Sequence, residues 1–146
     1  MITLSDELDQ TIFEAKGEHF FSPNWSLFRG SKEVAVIRKR IFAWASTWEV
    51  KSDLGDFVIK RKIFPFTRQY LVKGGAVDGA IISGNFISLK FEIILHNHLI
   101  AKARAKILTL RDRHNVEVLD SSEDSLLFTA IAMVVLQLDR KSEADD

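Results

Sequence analysis

The chain has 146 residues, 47% of them apolar and 27% charged, which fits one globular domain with a sizeable core. It has no cysteine, so disulfides, thiolate zinc sites and cysteine nucleophiles are excluded together. Twenty Lys/Arg balance twenty Asp/Glu, but unevenly: Arg29 to Arg113 hold seventeen basic against seven acidic residues, and the remainder three against thirteen. A basic middle of this kind suits phosphates or an anionic membrane, and equally suits acidic ends folding back onto it.

The amino terminus, MITLSDELDQ, has neither the basic start nor the apolar run of a secretory signal, and it carries acids where a transit peptide avoids them. The cytoplasm is therefore the expected compartment, with a peripheral position at a membrane as the alternative. Residues 1–12 read as an N-terminal extension, 13–140 as the folded domain and 141–146 as a solvated tail.

Within the domain a unit of about twenty-two residues recurs. VIRKRIFAWASTWEV (36–50) aligns with VIKRKIFPFTRQYLV (58–72) at an offset of 22, and KARAKILTLRDRHNV (102–116) follows 44 further on. Phe20-Phe21 and Asn85-Phe86 are weaker echoes one unit before the first copy and between the second and third. Each unit reads as two short strands joined by a turn, because β-branched and aromatic residues alternate with polar ones. Turn chemistry recurs at SDLGD (52–56), VKGGAVDG (72–79) and LHNH (95–98). The expectation is about ten to twelve antiparallel strands.

Alternation assigns faces. Lys102, Arg104 and Lys106 share one side of a strand, with Ala101, Ala103, Ala105 and Ile107 on the other, so the basic side must face water. Carried back, this register puts Arg38, Arg40, Lys60 and Lys62 outside and Ile37, Ile41, Ile59 and Ile63 inside. It also aims Lys39 and Arg61 inward, where each needs either a barrel mouth through which its stem can snorkel or an acid to pair with. In the second strands Trp48, Val50, Tyr70, Val72, His114, Val116 and Val118 fall on the core side.

LLFTAIAMVVLQL (126–138) predicts a helix over about 123–138, capped by Ser121 with Asp124 three residues on and ended by DRKSEADD. At about 20 Å it is too short for a bilayer core near 30 Å. Its apolar side chains point in every direction round the axis, so packing on one sheet face would leave half of them wet. A closed barrel of eight strands has a backbone radius near 8 Å and one of twelve near 12 Å, against a helix about 10–12 Å across with its side chains. Ten to twelve strands therefore enclose the helix, where eight would strangle it. Burial at roughly 1.5–3 kcal/mol for each large side chain makes this the dominant stabilising feature.

IRKRIF (37–42), IKRKIF (59–64), GAIISGNF (79–86), LIAKARAKILTLRDRHNVEVLD (99–120) and LLFTAIAMVVLQLDR (126–140), in that order, resemble the recurring elements of the LURP-one-related family. That family is similar to the tubby carboxy-terminal domain and to phospholipid scramblases. The resemblance covers roughly residues 13–140 and implies a twelve-stranded closed antiparallel barrel around a central hydrophobic C-terminal helix. Tubby-like domains bind phosphoinositides and scramblases act on lipids, so it also implies a lipid-facing role.

One constellation stands out as a site: Arg38, Arg40, Lys60, Lys62, Arg104 and Lys106, a cationic patch able to hold phosphate oxygens if their strands lie together. Exposed strands are also basic for solubility alone. Trp44 and Trp48 suit core packing, with membrane-interface anchoring or base stacking as alternatives. His96-Asn97-His98 has metal-ligand spacing but no nearby acids and reads as a hairpin turn, and GAVDG (75–79) reads as a turn without phosphate-loop context. His114 reads as a core histidine. Neither a Ser-His-Asp order nor a carboxylate pair stands out. The sequence therefore points to a non-enzymatic binding module for an anionic phospholipid or phosphoinositide-like headgroup. No cofactor, metal or transmembrane segment is expected, and nucleic acid is not an expected partner. The rival reading is a protein-interaction scaffold.

Overall fold

A computed structural model describes residues 1–6, 8, 10–17, 24–40, 46–63, 68–85, 90–102, 108–110, 114–118 and 122–144. At the level of class the expectation holds: the chain is mainly antiparallel β with one C-terminal helix. In chain order come β1 (Ile2–Ser5), β2 (Thr11–Gly17), β3 (Asn24–Arg29), β4 (Lys32–Lys39), β5 (Thr47–Ser52) and β6 (Gly55–Ile63). They are followed by β7 (Arg68–Lys73), β8 (Ile81–Asn85), β9 (Lys90–Leu95), β10 (His98–Lys102), β11 (Leu108–Leu110), β12 (His114–Val118) and the helix α1 (Glu123–Ala144). Neighbours pair in the order β1, β11, β12, β10, β9, β8, β7, β6, β5, β4, β3, β2, and β2 pairs in turn with β1.

The repeat is visible in the ladder. Ile37 lies opposite Val50 and Lys39 opposite Trp48; twenty-two residues on, Ile59 lies opposite Val72 and Arg61 opposite Tyr70. Equal offsets on both strands mean equal register, which is why Ile37, Trp48, Val50, Ile59, Tyr70 and Val72 are all buried. Of the other expected inward residues, Val118 packs on the core, while Ile41 and the side chains of Ile63, His114 and Val116 lie outside the described residues.

The third copy departs from a plain hairpin. β10 and β12 keep the repeat's register, Ala101 opposite Val118, but the chain between them makes the extra strand β11. That strand pairs with the far edge of β12 and with β1. Spacing gave no sign of it, because three residues carry too little alternation to stand out.

Residues 1–12 are not an extension. β1 sits between β2 and β11, with Leu4 fully buried, and so belongs to the sheet. The turns at Asp53-Leu54 and His96-Asn97 fall where the sequence placed them. His96 and Asn97 both take positive φ (50° and 65°), a conformation that suits a two-residue hairpin, and both are exposed. GAVDG forms a single 3-10 turn, Gly75–Val77, that runs on into a turn at Asp78-Gly79.

From Ser125 to Asp139 every helix residue except Leu126 and Gln137 is buried, so walls lie on all sides of α1. Ala15, Ala35 and Ala101 are small strand residues that are almost wholly buried, and Phe57 meets Phe128 of the helix edge-on at 5.8 Å. Of the alanines expected in that role, Ala103 and Ala105 lie outside the described residues.

Three expectations about the helix are corrected. Its cap is Ser122, whose Oγ accepts the Ser125 N–H at 3.1 Å; Ser121 lies outside the described residues. The helix runs on to Ala144 rather than ending near 138, so residues 141–144 are helical instead of a loose tail. Asp139, placed past the end of the helix by the sequence reading, is helical and 1% exposed. Twenty-two residues would be long enough to span a bilayer core, so length is not the obstacle that it was expected to be. Composition is: the run DRKSE follows Leu138, and among the described residues no helix is long and apolar enough to cross a membrane.

Candidate anion-binding face

Strand alternation and register place the candidate cations. Because Ile37 and Ile59 point into the core, Arg38 and Lys60 must point out, and all four of Arg38, Arg40, Lys60 and Lys62 are exposed. β4 and β6 flank β5, so the two basic pairs stand two strand spacings apart, about 10 Å. Arg38 lies opposite Glu49, the Arg40 N–H donates to the Thr47 carbonyl, and Lys60 lies opposite Thr47 on its other side. The four therefore share one outer face. Arg104 and Lys106 lie outside the described residues.

This face is not uniformly free. Arg40 donates from Nε and Nη2 to Glu49 Oε1 at 3.0 and 2.7 Å. That hydrogen bonding, aided by the charges of Arg40, Arg38 and Lys51, holds the Glu49 carboxyl below its usual range despite some desolvation. Glu49 thus occupies one of the four cations, while Arg38, Lys60 and Lys62 make no ion pair among the described residues.

The inward cations resolve differently from each other. Lys39 Nζ lies 5.8 Å from the centroid of the Trp48 ring, and Trp48 itself is buried, which fits core packing; Trp44 lies outside the described residues. Arg61 reaches Asp139 with Nη1 3.0 Å from Oδ2, and Tyr70 donates its hydroxyl to the same oxygen while Ser46 donates to Oδ1. Burial, then the nearby Asp139 charge and the hydrogen bond to it, push the Tyr70 phenol far above its usual range. Sequence reasoning found Arg61 and Tyr70 on the inner face but missed their acceptor. An acid at the end of an apolar run looks like a helix-ending solvated residue, and only the extra helical turns bring it to the wall.

The outer face turns apolar beyond β6. Lys60 lies opposite Leu71, Leu71 opposite Ile81, Ile81 opposite Ile94, and Ile94 opposite Leu99. None of these four apolar residues packs on the core cluster, and Leu99 is 37% exposed. They form one cross-strand row over β7–β10.

Comparison with family models gives a match to LURP-one-related over residues 1–136. Neither the curated proteins nor the solved structures compared with the chain match it.

Proposed function

Because the chain belongs to the LURP-one-related family, we propose that it is a non-enzymatic, tubby-like module that binds an anionic phospholipid headgroup on its outer wall. In this reading the sheet is a closed barrel of about twelve strands filled by α1, so the interior is occupied and only the wall is left for binding. Arg38, Lys60 and Lys62 supply charge-assisted hydrogen bonds to phosphate oxygens, with Arg40 joining them when it leaves Glu49. Work of this kind needs no membrane span and places the protein at a cytoplasmic membrane surface.

The observation that supports it most is the sharing of one outer face by three exposed cations with no ion pair among the described residues. Co-sedimentation with phosphatidylserine-containing against neutral phosphatidylcholine vesicles tests it. Binding should follow lipid charge, fall steeply with salt, and be lost when Arg38, Arg40, Lys60 and Lys62 are reversed to glutamate. Indifference to lipid charge, or undiminished binding by the reversed variant, overturns it. The protein-interaction scaffold draws instead on the outward row Leu71, Ile81, Ile94 and Leu99, and is recognised by a partner retained after charge reversal.

A further inference from the structure

We infer that this row is the edge by which the domain enters an anionic bilayer, with lysines around it holding headgroups; the assignment presupposes the lipid-binding function proposed for the basic face. Three strand spacings put Leu71 and Leu99 about 14 Å apart. On a wall of about 12 Å radius, an arc that long leaves a plane by only about 2 Å, so all four side chains reach a flat surface together.

Charge selects the occupant. Lys60 continues the row at its β6 end, and Lys62 lies two residues further along that strand. Lys102, opposite Glu92, marks the β10 side, and Lys73 lies two residues from Leu71. Against these four lysines stand three acids, Glu92, Glu117, which lies opposite Lys102 on β12, and Asp78, which already accepts the Gly74 N–H at 2.8 Å. An apolar strip rimmed by excess lysine matches the acyl boundary of an anionic leaflet, where apolar side chains sink in and each nearby cation adds about 1 kcal/mol. A protein partner matching the same rim would need a greasy acidic groove, whereas a bilayer offers both properties over any area.

The absence of cysteine makes the test direct. Leu99→Cys carries a polarity-sensitive fluorophore on the full chain, and Lys16→Cys on β2, on the far side in strand order, carries the control. With phosphatidylserine vesicles the label at 99 should shift to the blue and be quenched by brominated acyl chains, while the label at 16 stays in water. Unlabelled Leu99→Asp should bind the same vesicles about tenfold more weakly at physiological salt, with its circular dichroism unchanged. If wild type binds and the label at 99 stays wet, the edge is wrong and the basic face stands. If wild type ignores the vesicles, both fall. A lipid-independent shift accompanied by a dimeric mass would overturn the edge and assign the row to a second copy of the chain.

Discussion

Asp139→Ala removes one carboxylate that accepts from three donors, which makes its cost unusually predictable. Asp139 is 1% exposed and the Arg61 side chain 15% exposed, so the guanidinium stays largely out of water when the Asp139 carboxylate is gone. Breaking a buried pair from one side typically costs about 3–5 kcal/mol. The partial exposure of Arg61 argues for the lower end, and the lost acceptor for the buried Tyr70 hydroxyl, about 1–3 kcal/mol in its own right, pulls back upward. A loss of about 3–4 kcal/mol follows, a large fraction of a domain's usual 5–15 kcal/mol. In a chain of this size that should lower the Tm by roughly 10 °C. Urea unfolding with coincident fluorescence and circular dichroism transitions measures it. Asp139→Asn should recover part of the loss by still accepting from Tyr70. A fall of under about 1 kcal/mol for Asp139→Ala would refute the reasoning, since it would mean that the pair is wet.

Tyr70 is the chain's single tyrosine, so tyrosinate absorbance reports it alone. Its folded pKa is raised, so its contribution to stability is full below the unfolded value near 10 and is lost as pH climbs above it. No tyrosinate signal should appear before unfolding in alkali; a titration near 10 in folded protein would contradict the burial. Glu49→Gln frees Arg40 and adds a cation to the basic face, and should tighten binding to phosphatidylserine vesicles about fivefold, read by co-sedimentation. Gly75→Ala should cost more than Gly30→Ala although both glycines have φ of +63°. A Cβ at 75 would sit 2.8 Å from the Leu54 carbonyl oxygen, while nothing lies within 4 Å at 30. Thermal unfolding should show about 1 kcal/mol for the latter and at least twice that for the former.

The parts of this molecule legible in sequence are those carried by period. Two copies with identical register fixed which side of β4–β7 meets the core, and the same alternation placed Arg38 and Lys60 outside and Lys39 and Arg61 inside. A helix apolar all round announced its own burial. What stayed hidden depends on pairings between distant segments. β1 is four residues of mixed character that become a strand only because β2 and β11 offer partners. The outward row Leu71, Ile81, Ile94 and Leu99 is assembled across four strands whose registers, one shifted by a bulge, cannot be summed from local patterns.

Hydrophobic burial fills the interior of this fold but does not say how the rod should sit there. The attraction is non-directional, and a helix apolar on every side can turn or slip by a residue or a turn with little change in buried area. Polar ties near the two ends of α1 remove that freedom. Glu123 in the first turn pairs with Arg29 at the end of β3, and Asp139 meets Arg61, Tyr70 and Ser46. A slip of one turn, 5.4 Å, would break every bond to Asp139 at once. The double variant Arg61→Met, Asp139→Leu separates stability from uniqueness. Replacing a buried pair by apolar residues of similar size is commonly neutral or stabilising, so its unfolding free energy should stay within about 1 kcal/mol of wild type. Its amide resonances over residues 126–138 should nonetheless broaden or double as alternative settings of the rod become populated. A spectrum as sharp as the wild type's would show that side-chain packing alone sets the depth, and that the buried pair is there for something other than registry.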